Sequence, residues 1–223
     1  MKNRTTTYLL PLSILTNLFP LYGVIMYDWT IFSVVYIYWI ELLIISTFQL
    51  FKILLAQGDA DSDFMKRVAL AFKFFAFRTG IFFFYLLFIV VFLGFMVGTK
   101  NKEAGLDVIR VMTFQEAFFK TAMLSFVVYN LVEFIVKYLA TGKYKYAKPD
   151  DYYSLFDGRI ILVHVVVVLG TFLYQLVLDK LNADYKTAMI ACVSLFIVVK
   201  LIADTVKHSI SSDDTPEDTA KYI

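Results

Sequence analysis

Six stretches of this sequence run for about 20 residues each with almost no charge, the length at which a helix rising about 1.5 Å per residue crosses roughly 30 Å of hydrocarbon. They are 8–26, 29–55, 79–97, 114–139, 159–178 and 185–206. A backbone in lipid must satisfy its own hydrogen bonds, which leaves helices or a closed barrel, and a barrel would show short alternating strands of about 10 residues. Near-continuous apolar runs therefore predict an all-α, polytopic bundle of six transmembrane helices. Composition agrees: 60% of the 223 residues are hydrophobic, and the 23 Phe, 15 Tyr and 2 Trp exceed what the interior of a soluble domain this size could hide. A net charge of +2 gives no reason to expect a nucleic-acid partner, and the single cysteine, Cys192, excludes an internal disulfide framework.

The first run follows Lys2 and Arg4 but has no small-residue cleavage site, so it reads as a retained helix, kinked or broken by Pro11 and Pro20. Six spans with the N-terminus inside put 15 Lys and Arg in the inner segments and 5 in the outer loops, with Lys120 inside the fourth span. That asymmetry predicts both termini on the cytoplasmic side of a plasma membrane. The chain thus divides into one transmembrane domain, 1–208, and a polar tail, 209–223. Residues 64–77 (FMKRVALAFKFFAF) form either an interfacial helix or an extension of the third span. Residues 142–157 carry four tyrosines suited to the headgroup belt. Gly94 and Gly98 form a lone GxxxG pair of the kind that lets helices of a homo-oligomer approach.

Ionisable groups deep in a span are costly, at about 2.5–3.5 kcal/mol on insertion scales, so they mark candidate sites. Glu41 lies 11 residues before Lys52, roughly 16 Å from the inner boundary, with no basic residue one turn away. Unpaired, it would be held protonated by desolvation, with Tyr38 one turn earlier as a hydrogen-bond donor. His164 stands five residues past Arg159 and continues through Thr171 and Gln175 as a polar stripe. On the sixth run, KLIADTVKH sets Lys200, Asp204 and His208 at successive i,i+4 positions. The plain reading there is a Lys200–Asp204 salt bridge, with His208 wet at the interface. Glu133 has Lys137 at i+4 and Asn130 one turn earlier, which reads as a snorkelling ion pair near the inner end.

Carboxylate and imidazole together suit a divalent metal such as Zn2+, which His164, Asp204, His208 and Glu41 could hold if their helices converge. Glu41 lies about 8 Å above His164 on straight helices, so a tilt or kink would have to close that gap. A water-filled vestibule open to the cytoplasm and lined by Glu41, Tyr38, Trp39, Asn130, Glu133, Arg159, His164, Thr171, Gln175 and Lys200 needs no such coincidence. It would bind or transport a proton, a cation or a small solute. The alternatives are a zinc-dependent intramembrane hydrolase with Glu41 or Glu133 as base, haem held by His164 and His208, and an assembly protein whose polar groups only join helices.

The segments PLYGVIMYDW and YWIE, then GRIILVHVVVVLGTFL, then KLIADTVKH, in that order, resemble a family of prokaryotic multi-pass membrane proteins known only as a domain of unknown function. The resemblance implies that Trp39, Glu41, Arg159, His164, Lys200, Asp204 and His208 belong to the family's pattern. It also implies an Asn after the Trp-x-Glu; Leu42 stands there instead. No activity follows from it.

Overall fold

The computed structural model describes residues 2–58, 63–98, 104–154, 176 and 184–213; for 2–8, 10, 92–98, 104–107, 185 and 203–213 the description covers the backbone alone. The described residues are helical and contain no strand. In chain order the helices are α1 (Lys2–Tyr27), α2 (Ile31–Leu55), α3 (Phe64–Gly98), α4 (Ala104–Met112), α5 (Phe119–Phe134, continued by a wider π turn over Ile135–Leu139) and α6 (Tyr185–Asp213). Two single 3-10 turns, Lys143–Lys145 and Pro149–Tyr152, shape the segment after α5. Three stretches are long and apolar enough to cross a membrane: Ile31–Leu55, Phe64–Val91 and Phe119–Leu139. α1 contributes the shorter apolar helix Pro11–Tyr27. This is a membrane protein.

α2 is the axis of the bundle. Its most apolar window is 72% buried, against 28% in each of the other two spanning stretches, and every residue from Ile31 to Leu42 is enclosed. A helix that is apolar all round belongs at a centre. α3, α4, α5 and α6 pack on it, and α1 closes the outside against α5 and α6. α3 and α5 turn Phe72, Phe83, Phe84 and Leu124 outward, exposed as lipid-facing residues should be. Local chemistry sets the ends of α2. Thr30 caps its start, accepting from the Ser33 N–H at 3.3 Å, and at the far end Arg67 donates to the carbonyls of Leu54 and Ala56 at 3.3 and 2.9 Å. The Tyr138 hydroxyl donates to the Lys52 carbonyl at 2.8 Å, and the N–H groups of Gln57 and Gly58 reach the carbonyls of Tyr144 and Ala147 at 2.7 and 3.0 Å. The 142–153 segment is thereby locked onto the Leu55 end, with Lys52 over the rings of Tyr138 and Tyr152. Burial there pushes the Tyr152 phenol above its ordinary value.

Several boundaries differ from the sequence expectations for physical reasons. α1 runs unbroken through Pro11 and Pro20, and its polar residues turn inward on the same helix, Thr16 donating to the Leu12 carbonyl and Asn17 to that of Ser13. Residues 64–77 are the first turns of α3, not a separate interfacial helix. The fourth run begins as a helix only at Phe119, because Phe114 and Phe118 sit at φ 57° and 66°. Such left-handed backbone is strained for bulky residues. At Phe118 it is compensated by ring contacts with Phe19, Tyr22 and Tyr27 at 5.1–5.4 Å. α6 continues to Asp213, into the stretch expected as tail. The fifth run, 159–178, lies outside the described residues apart from Leu176.

At the Ile31 end, Trp29 is fully buried and donates through Nε1 to the Ala117 carbonyl at 3.0 Å. Its indole presses on Gly23 so closely that a Cβ there would meet ring carbons at 2.4 Å. Pinned by its own hydrogen bond, the ring cannot retreat. Gly23→Ala is expected to destabilise by about 1–3 kcal/mol through overpacking, read as a lower midpoint of thermal unfolding in detergent; an unchanged midpoint would refute the packing at this corner.

Candidate functional site

Glu41 sits ten residues into α2 and Lys200 fifteen residues into α6, so both are carried to the middle of the bundle by the lengths of their helices. There they meet. The Lys200 ammonium donates to Glu41 Oε2, and the residues are only 5% and 7% exposed. The expectation of an unpartnered Glu41 is corrected, and Lys200, expected to pair with Asp204 on its own helix, reaches across to a different helix. Burial gives the reason. A carboxylate in hydrocarbon is far more costly alone than beside an ammonium, and a four-methylene arm reaches a neighbouring helix as readily as the next turn.

Aromatic rings complete the surroundings. Lys200 Nζ stands 4.5 Å from the centre of the Tyr38 ring and 5.1 Å from that of Phe126 on α5. Phe196, one turn before Lys200, stacks on Tyr38 at 4.4 Å and 8°. Desolvated cation–π contacts of this kind contribute up to about 2 kcal/mol. The ammonium thus has one anion and two ring faces.

A family model matches residues 1–221. The chain belongs to DUF6498, a family of unknown function. No curated protein and no solved structure matches it.

In this DUF6498 member the remaining site candidates separate. Trp39 donates through Nε1 to the Phe82 carbonyl at 3.2 Å and stacks on Tyr36, which makes it the tether between α2 and α3. Asn130, buried on α5, donates to the Phe126 carbonyl of its own helix at 2.8 Å. Glu133 accepts from Lys137 at 3.0 Å, a half-exposed pair one turn apart, away from Glu41. Arg159, His164, Thr171 and Gln175 lie outside the described residues, as do the side chains of Asp204 and His208, which stand four and eight residues beyond Lys200 on α6. Among the described residues no group of three His, Cys, Asp or Glu could hold a metal ion.

Two further polar contacts, one buried and one exposed, were not singled out from the sequence. Arg78 on α3, 3% exposed, donates to Gln49 Oε1 of α2 at 2.9 Å and lies over Phe74 and Phe82. Asp28 pairs with Lys186 at 2.8 Å, joining the starts of α2 and α6. The second gives the signal that finds the Glu41 pair. Asp28 to Glu41 is 13 residues and Lys186 to Lys200 is 14, so two parallel helices clamped at their starts bring Glu41 and Lys200 to one depth.

Breaking a buried pair strands a charge, whereas neutralising both ends does not. Glu41→Gln and Lys200→Met are each expected to destabilise the protein by about 3–5 kcal/mol, with the double variant regaining most of that. Thermal unfolding of the four proteins in detergent measures the coupling, and additive losses would dissolve the pair.

Proposed function

We propose that this protein is a six-span, multi-pass protein of the plasma membrane, with both termini cytoplasmic, that binds and transports a proton, a cation or a small solute at Glu41. The observation that carries the reading is the Glu41–Lys200 pair at mid-bundle. An apolar pair of similar volume would hold two helices together in lipid at no desolvation cost, so an ionisable group retained there is a functional site by default. The chemistry suits exchange. A carboxylate held by a flexible ammonium can release that ammonium when a proton or another cation neutralises it, and Lys200 is then free to move.

The topology is supported by where described residues stand on α2. Tyr152 packs at the Leu55 end and Lys186 pairs at the start, about 37 Å apart along 25 residues. The basic residues Lys52, Arg67, Lys143, Lys145 and Lys148 gather at the first of these ends, which the excess of positive charge assigns to the cytoplasm. Introduced cysteines check this in a Cys192→Ala background. An impermeant maleimide should label Lys186→Cys on intact cells and Lys145→Cys only after permeabilisation, and the reverse pattern would overturn the orientation.

A second reading has an observation in its favour. The rings of Tyr38, Phe126 and Phe196 seal the pair, as they would around a static clamp between α2 and α6. Proteoliposomes separate the two. Glu41→Gln/Lys200→Gln is neutral and close to the native volumes, so it should fold and elute as the wild type does. Under the transport reading it loses the proton or cation flux that the wild type carries down an imposed potential; flux equal to that of wild type would leave only the clamp.

A further inference from the structure

The surroundings of the Lys200 ammonium select among cations. Metal ions of the hard, divalent kind take about six to eight oxygen ligands, and zinc takes about four N, S or O donors. Around Lys200 Nζ stand one carboxylate, from Glu41, and two ring faces, from Tyr38 and Phe126. Ring faces offer a quadrupole and no lone pairs, which favours a weakly hydrated organic ammonium over a small, tightly hydrated metal ion. The box is also held in shape without Lys200. Phe196 is stacked flat on Tyr38, and the Phe126 ring packs against Tyr38 with centroids 6.1 Å apart. Glu41 and Tyr38 come from α2 and Phe126 from α5, and the ammonium arrives from α6 on an unbranched arm.

We propose that Glu41, Tyr38 and Phe126 form an alkylammonium-binding site whose resident occupant is Lys200, and that a small primary ammonium ion is the class of ligand that exchanges with it. The exchange rests on the reading of Glu41 as an ion site given above; the box rests on the geometry alone. Charge balance is kept if the incoming ammonium takes the Glu41 carboxylate and Lys200 moves to another anion. Asp204 follows at the i,i+4 spacing at which acid and base pair on one helix. Because Lys200 is tethered, its effective concentration at Glu41 is high, on the order of millimolar or above, so a free ligand competes at a disadvantage that loss of the arm removes.

Two measurements on the full chain test this. In the first, Lys200→Ala is titrated with propylammonium chloride, which restores the atoms removed, against sodium chloride at equal ionic strength. A saturable rise in the thermal midpoint with propylammonium, absent with sodium and absent in Glu41→Gln/Lys200→Ala, is the expected result. In the second, proteoliposomes of phosphatidylcholine and phosphatidylglycerol take up labelled methylammonium under an inside-negative potential. The wild type should saturate, and Tyr38→Leu should cut the rate about tenfold or more. Proton or sodium flux that needs Glu41, with no methylammonium uptake and no propylammonium effect, would overturn this inference and leave the transport reading intact. Propylammonium binding without flux of any ion would support the box and end the transport reading. If Lys200→Ala does not fold, propylammonium is titrated against the wild type and Tyr38→Leu instead: a saturable rise in the wild-type midpoint that Tyr38→Leu loses supports the box, and no rise together with no methylammonium uptake overturns it.

Discussion

A carboxylate and an ammonium that neither lipid nor dry packing would tolerate singly hold each other at the centre of this bundle. Their meeting requires α2 and α6 to run side by side in one direction and in one register, and the second ion pair, Asp28–Lys186, enforces that register from the start of both helices. The outer pair is largely exposed and contributes little by itself, since solvent screens it. Its effect is positional. It places Lys200 at the depth where only Glu41 is available among the described anions.

The fold class was legible because hydrocarbon imposes one rule on every backbone group, and near-continuous apolar runs answer it in only one way. α2 emerges close to its expected place for that reason, whereas α3 begins at Phe64, fifteen residues before the expected run. What escaped was set by contacts across the chain. The late start of α5 depends on Phe118, whose left-handed backbone is held by rings from α1, and nothing local to residues 114–118 announces it. α1 also runs unbroken through Pro11 and Pro20, where the prolines alone suggest a break.

The candidate site was half legible. Glu41 stood out by depth alone, because counting residues from Lys52 measures distance into the membrane. Lys200 is harder to place because Asp204 and His208 stand at pairing distance on its own helix, and local spacing hides the partner at the same depth across the bundle. Counting from the other end of each helix corrects this: α2 and α6 run parallel, so residues equally far from their starts are at the same level. Arg78 and Gln49 were passed over because each lies near the end of a predicted run, where a polar residue ordinarily reaches water; the length of α3 carries Arg78 well inside, fourteen residues from the helix start.

Why the pair is wrapped in rings follows from the same solvent. Aliphatic side chains around an ion pair would raise the cost of ever separating it, since neither charge would find any favourable surface on the way. Tyr38 and Phe126 keep an electrostatic attraction for the ammonium whether or not the carboxylate is engaged, which lowers the penalty of an open state without admitting water. A static clamp gains from the same contacts, since they add to the pair; a site that lets go of its cation would gain in addition a surface that prefers ammonium to hydrocarbon, and the faces turned towards Lys200 are of that kind.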